Sequence, residues 1–270
     1  MMKKERYDIP MRQPCSEFID AYNAMGRHFN EVRKSMPESL SFLRTQPVPP
    51  MIDHLSFKLG NQIFFVYLDP MDDSVEPVSN LDAMIEFAED SMAIPCLMPM
   101  RRARIGWEPA TSGWGLIDAR TGKPVNPPDL VTGELIEMSD WELHDFAVQV
   151  VRNSLAEQEG IDVTSYCSNP GIDPSLWFVD SETGEEGYVV VRSARYPNLE
   201  AAPPEDPDSI IEHCAFRTRN AFFASVGAAN NEDPFDPDAR ANGNFLPLYR
   251  GGGMAVRYKG LVPLATIAWQ

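Results

Sequence analysis

Apolar residues in the first part of the chain recur at two different periods. Between residues 15 and 45 they follow helical spacings of one, three and four, so we predict a helix that Pro37 and the "QPVPP" segment end. In "HLSFKLGNQIFFVYLDP", apolar and polar residues alternate before the turn dipeptide Gly60-Asn61, and a continuous apolar run follows it. This pattern predicts a β-hairpin.

The next segments favour one helix and one strand. "SNLDAMIEFAEDSMA" has an apolar stripe behind a capping residue, Ser79 or Asn80, and predicts an amphipathic helix. "IPCLMPM" predicts a strand, which Pro95 and Pro99 place at a sheet edge or interrupt. Residues 101–138 are rich in Gly, Pro and Trp, and we interpret them as a connection with short strands.

The second half begins with a strong helix signal. Ser139 and Glu142 have the spacing of a capping box, and an apolar stripe continues over 139–159. A strand is predicted at 163–167 and a hairpin over 176–191. "SIIEHCAFRTRNAFFASVGAAN" is predicted to be helical, "NNEDPFDPDARANGN" to be an acidic loop, and "GGGMAVRYKGLVPL" to end in a strand.

These elements predict an α/β or α+β fold with mixed sheets flanked by helices. Both halves run helix, hairpin, helix, strand, with "IPCLMPM" in the place of "GMAVRYKGLVPL". Two similar α-β-β-α-β halves or one pseudo-symmetric sheet would explain this order. We place an N-terminal α/β subdomain with its Gly/Pro/Trp-rich connection at 1–138, and a C-terminal α/β subdomain at 139–270.

Composition narrows the classes of protein. A hydrophobic fraction of 43% supports a packed core, and no apolar run approaches the roughly 20 residues of a membrane helix. "MMKKERYDIPMRQP" lacks the apolar stretch of a secretion signal, so we expect a cytoplasmic protein without membrane contact. The four cysteines form no C-x-x-C pair, which favours reduced thiols over disulfides or zinc.

The net charge of −17 bears on possible partners. Phosphate backbones bind positive surfaces, so extensive nucleic-acid binding is disfavoured. Acidity can serve solubility alone or attract a basic protein, and a protein partner therefore stays open.

The sharpest chemical candidate lies in "GIDPSLWFVDSETGEEGYVVVRSARYP". Asp173 precedes its first apolar run and Arg192 closes the second. With the order helix, three strands, helix, strand, residues of about 139–264 resemble the PD-(D/E)XK nuclease-like superfamily, the restriction-endonuclease fold. The resemblance implies that Asp173 stands at the metal-binding Asp, Val190 at the second metal-binding acid, and Arg192 at the lysine that positions or activates water.

Val190 cannot bind a metal, so this resemblance implies a degenerate site. The alternative is a metal-dependent nuclease or related hydrolase in which the second acid has migrated. Its catalytic residues would be Asp173, Glu142, Glu186 and Arg192, and its cofactor Mg²⁺.

Arginines beside aromatic rings form a second candidate, since guanidinium groups bind phosphates and carboxylates. They begin in "MPMRRARIGW" and continue at the end of the hairpin. The candidate ligand-binding residues are Arg101, Arg102, Arg104, Trp107, Arg192 and Arg195. The same arginines could instead neutralise neighbouring acids.

No complete catalytic set can be assembled from the sequence. The histidines lack metal-ligand spacing, and no G-x-S-x-G, P-loop or Rossmann glycine pattern occurs. We therefore expect a non-catalytic, cytoplasmic and bacterial binding or interaction protein with a degenerate nuclease-like core, without metal or cofactor. The metal-dependent nuclease or hydrolase remains the alternative.

Overall fold

The computed structural model describes residues 12–35, 40–45, 52–76 and 78–267. The chain divides into two compact units, residues 1–135 and 136–270. Each unit is a mixed β-sheet with helices on both faces. Within the described residues, no helix is both long enough and apolar enough to cross a membrane.

The first unit builds one sheet and two α-helices from its described residues. Its elements are α1 (Ser16–Lys34), β1 (Ser41–Arg44), β2 (Leu55–Leu59), β3 (Gln62–Pro70), α2 (Leu81–Asp90), β4 (Ile94–Arg102), β5 (Trp107–Pro109) and β6 (Ile117–Asp118). The strand order is β1-β2-β3-β4-β5, with β6 also on β4. Only the β3–β4 pairing is parallel among these strands.

The second unit repeats this plan. Its elements are α3 (Asp140–Ala156), β7 (Ile161–Tyr166), β8 (Leu176–Asp180), β9 (Glu186–Arg195), α4 (Pro207–Cys214), β10 (Ala221–Asn230), α5 (Pro237–Asn242), β11 (Met254–Tyr258) and β12 (Val262–Pro263). The order is β11-β10-β9-β8-β7, with β12 also on β10. Here β9 and β10 form the parallel pair, and the other pairings are antiparallel.

Alternating residues of the central strands supply two cores in each unit. In the first, Phe64 and Val66 of β3 pack under α1, while Phe65 stacks on Phe87 of α2 at a centroid distance of 5.1 Å. In the second, α3 covers Val189 and Val191, and the other face of β9 packs against α4. Central strands buried on both faces account for continuous apolar runs in the sequence.

The α/β architecture with two similar halves agrees with the prediction. The similarity extends to the register of the hairpins. Phe57 of β2 pairs with the first residue of β3 that takes part in the parallel pairing with β4. In the same way, Trp177 of β8 pairs with the first residue of β9 that takes part in the parallel pairing with β10. Four residues earlier, Asp53 and Asp173 therefore occupy equivalent positions, and an isoleucine precedes each.

Part of the predicted correspondence is wrong. "IPCLMPM" is β4, and its counterpart beside the central strand is β10, not the final strand. Residues 209–230 are not one helix, because α4 ends at Cys214 and 221–230 form β10. An apolar run such as "AFFASVGAA" fits a buried helix or a buried strand, and only its pairing with β9 decides between them.

Two further expectations need correction in the first unit. The helix predicted over 15–45 ends at Lys34, and residues 41–44 are a strand; Pro37 and the "QPVPP" segment lie outside the described residues. Of the two alternatives for "IPCLMPM", the sheet edge is wrong, because β4 is a central strand.

Strand β4 accepts two prolines because of the side they face. The carbonyls of Pro95 and Pro99 accept bonds from Ala119 and Ala110. Because N–H and C=O of a strand residue point the same way, the missing N–H groups also face β5 and β6, where pairing is already divided between two short strands.

Candidate functional site

The predicted hairpin over 176–191 is confirmed, and its second strand, β9, is buried on both faces of the sheet. Strands β8 and β9 pair antiparallel, with Leu176 opposite Val189. Val189, Val190 and Val191 are fully buried. The position that would carry a second metal-binding acid therefore faces apolar side chains.

Asp173 is held by Arg192 at one end of this hairpin. Asp173 lies in the loop before β8, and the Arg192 terminal nitrogens donate to its two carboxylate oxygens at 2.8 and 2.5 Å. The side chains are only 21% and 24% exposed. Both oxygens of the candidate metal ligand thus already bind a guanidinium in the two-pronged geometry typical of strong pairs.

Glu142 is held by a different arginine. Arg250 donates from Nε and a terminal nitrogen to the two Glu142 oxygens at 2.7 and 2.9 Å, and both side chains are buried. Glu142 also closes the predicted capping box at the start of α3, where it accepts from the Ser139 N–H at 2.9 Å. The Arg250 N–H also donates to the carbonyl of Ile136. This bond and the ion pair together join the segment around Arg250 to the start of α3 and the residues before it.

Glu186 belongs to a third pair, at the far end of β9. Arg217 donates to its carboxylate at 2.5 and 3.0 Å and lies 4.4 Å above the Trp177 ring. The hydrogen bond from Arg217 lowers the pKa of Glu186. Glu186 precedes Arg192 by six strand residues, a separation of about 20 Å, so Glu186 and Asp173 cannot bind one ion.

His144 lies beside the Asp173–Arg192 pair on α3. Its side chain is 2% exposed, and its Nε2 has no hydrogen-bond partner within the described part of the chain. Burial, and secondarily the positive charge of Arg192, lower its pKa to about 4, although Asp173 opposes the shift. The imidazole is therefore neutral near pH 7.

Arg195, the other candidate on β9, contacts the segment before α3. It donates to the Met138 carbonyl at 2.6 Å and lies 3.4 Å from Asp140 and 3.5 Å from Glu137. In the second unit the candidate arginines thus neutralise neighbouring acids and bind main-chain carbonyls. Within the described ranges, no group of three or more His, Cys, Asp or Glu side chains could hold a metal ion.

The first-unit arginines surround the β4–β5 hairpin. Arg101 pairs with Glu108 across the two strands, and Arg102 pairs with Asp72 at 2.5 Å and covers the Trp107 ring at 4.8 Å. Arg104 is exposed and has no ion pair among the described residues.

A cavity of about 370 Å³ lies between this hairpin and α1. Of the candidate residues, Arg102 and Trp107 line it, while Arg101 and Arg104 do not. Helix α1 contributes Asp20, Asn23 and Arg27, which the sequence interpretation missed. Their spacing of three and four residues along a predicted helix was the available signal.

A buried Ser–His contact elsewhere in this unit is structural. His54 Nδ1 accepts from the Leu68 N–H at 2.7 Å, so Nε2 carries the proton and donates to Ser79 Oγ at 2.5 Å. A general base must instead accept the proton of the hydroxyl. This pair therefore does not activate Ser79.

Comparison with known protein families matches part of the second unit. Residues 141–264 match the model of a domain of unknown function, DUF8840. The matched region runs from α3 to the turn after β12 and lies within the second unit. No curated protein and no solved structure matches the chain.

Proposed function

We propose that this chain is a non-catalytic binding or interaction protein whose second unit is a degenerate relative of the restriction-endonuclease fold. The topology supports the resemblance, because α3, β7, β8, β9, α4 and β10 follow its helix, three strands, helix, strand order. The four unbridged cysteines fit a reducing compartment such as the cytoplasm.

The bidentate Asp173–Arg192 pair carries the proposal. A divalent cation exchanges part of its hydration shell for protein oxygens, and one or two of these usually come from carboxylates. At this site it would first have to displace a guanidinium from the only carboxylate on the motif, and Val190 offers no second one. Arg192 also stays charged, so it cannot act as a general base.

Metal titration and cleavage assays test this directly. We expect millimolar Mg²⁺ or Mn²⁺ to leave the melting temperature unchanged, since a ligand stabilises only above its dissociation constant. We also expect no cleavage of single- or double-stranded DNA or RNA. A metal-dependent product that disappears in Asp173→Asn but persists in Asp162→Asn, an exposed acid on β7, would overturn the proposal.

A double-mutant cycle supplies the positive evidence for pairing. Asp173→Asn and Arg192→Gln, alone and together, should show a coupling of roughly 1–2 kcal/mol in the free energy of unfolding, independent of added metal. A coupling near zero would mean that Asp173 is not committed to Arg192.

The first unit provides arginines that can meet a ligand. Arg27 and Arg104 are exposed and, within the described part of the chain, have neither an ion pair nor a hydrogen bond. This distinguishes them from Arg192, Arg195 and Arg250, which are used internally. A binding function is thus better supported in the first unit than at the hairpin of the second.

A further inference from the structure

We propose that the cavity between α1 and the β4–β5 hairpin binds a small anion bearing a carboxylate or phosphate group. This inference rests on the proposed binding function and adds its site and ligand class. Two guanidinium groups from different elements, Arg27 of α1 and Arg102 of β4, line the same cavity of about 370 Å³. Planar guanidinium groups match the oxygens of carboxylates and phosphates.

Arg102 is held in place before any ligand arrives. Its Nε donates to Asp72 at 2.5 Å, and its guanidinium carbon lies 4.8 Å from the centre of the Trp107 ring. Within the described residues its two terminal nitrogens make no hydrogen bond, so their donors are available. A fixed side chain loses little conformational entropy on binding.

Arg27 supplies the second set of donors. It is exposed and has no partner among the described residues, and Asn23 lies one helical turn before it on the same face. An anion between Arg27 and Arg102 would accept from both guanidinium groups. The side-chain amide of Asn23 provides a further donor.

Size and charge indicate a small ligand. The cavity lies near the lower end of the roughly 300–1,000 Å³ typical of ligand pockets. Asp20 lines it too, and with the chain's net charge of −17 it disfavours a polyanion such as nucleic acid. A compact anion that also carries a donor group would use Asp20 as an acceptor.

Calorimetric titration of the full chain at low ionic strength tests the site, with three probes that separate the ligand sources. Sodium pyrophosphate represents phosphates, succinate represents dicarboxylates, and L-glutamate represents zwitterions that could also contact Asp20. We expect at least one probe to bind at a single site, and its affinity to fall roughly tenfold or more in Arg27→Gln.

Two further variants make the outcome specific. Arg33→Gln removes another exposed arginine of α1 that does not line the cavity, and it should retain wild-type affinity. Arg102→Lys keeps the charge but loses the planar fork, so it should also weaken binding while a melting curve verifies folding.

Absence of binding by all three probes up to about 10 mM, or equal losses in Arg27→Gln and Arg33→Gln, would overturn the inference. Neither result would affect the metal and cleavage tests, which concern the second unit. The two proposals can therefore fail separately.

Discussion

At the scale of single residues, burial decides the consequence of a change at the centre of β9. Val190 is fully buried beside Tyr188 and Phe223, with no cation among the residues of its cluster. We expect Val190→Asp to lower the free energy of unfolding by several kcal/mol, because an unpaired carboxylate would lose its hydration. Val256→Asp on β11, where the valine is 41% exposed, is the control and should cost little. Equal melting temperatures for the wild type and Val190→Asp would contradict the burial.

His144 makes stability depend on pH in a defined direction. Its pKa is about 4 in the folded chain and about 6.5 when unfolded, so protonation favours unfolding. The neutral imidazole therefore contributes fully to the free energy of unfolding above about pH 6.5. As the pH falls towards 4, the free energy of unfolding decreases by about 3 kcal/mol on account of this group.

Urea unfolding at several pH values measures this loss. The stability of the wild type should fall more steeply than that of His144→Gln between pH 7 and 4, since the other titrating groups are common to both chains. Parallel curves would show that the imidazole does not titrate in this way.

The candidate residues of the second unit can be named from the sequence, but their partners cannot. Asp173 and Arg192 stand out on one hairpin, but their distance depends on the register of β8 against β9. Glu142 and Arg250 are separated by 108 positions, and only the folded second unit brings them together. Capping residues were predictable because their contacts are local.

At the scale of elements, the β8–β9 pairing depends on a close approach at one glycine. Gly187 lies opposite Phe178, whose ring covers it, and an added methyl group would overlap the ring. We expect Gly187→Ala to cost roughly 1–3 kcal/mol through overpacking.

A second glycine provides the comparison. Gly133 is exposed and has open space where a Cβ would lie, so Gly133→Ala should be nearly neutral. Chemical denaturation of both variants checks the difference. Equal small effects would mean that the Phe178 ring moves aside without loss.

Element types were predictable where local signals and packing agree. The capping box of α3 and the Gly60-Asn61 turn are local features that both appear in the structure. The prediction for β10 was wrong because its small apolar residues fit the helical and the strand period equally well. Its pairing with the neighbouring β9 determines the strand conformation. The local sequence also cannot show that the prolines of β4 face the side where β5 and β6 pair.

At the scale of the whole molecule, repulsion between the excess acidic residues is the contribution to stability that salt should change most. The chain carries 40 acidic and 23 basic residues. Most ion pairs among the described residues have at least one well-exposed side chain. Exposed pairs contribute little, so screening should relieve more repulsion than it removes attraction.

Thermal and urea unfolding in rising NaCl test this balance. We expect stability to hold steady or increase between low and moderate ionic strength. Choline chloride at matched ionic strength controls for specific sodium binding. A clear loss of stability in both salts would show that the ion pairs outweigh the repulsion.

The Asp173–Arg192 pair also has an evolutionary consequence. Under the proposed function, a metal centre at this hairpin would require two substitutions, one that supplies an acid near Val190 and one that releases Asp173 from Arg192. The acid alone would be buried without a cation, and loss of Arg192 alone would leave a half-buried carboxylate unpaired. Under the proposed function, either substitution alone would destabilise the fold, so selection for stability would oppose the stepwise appearance of a metal centre at this hairpin.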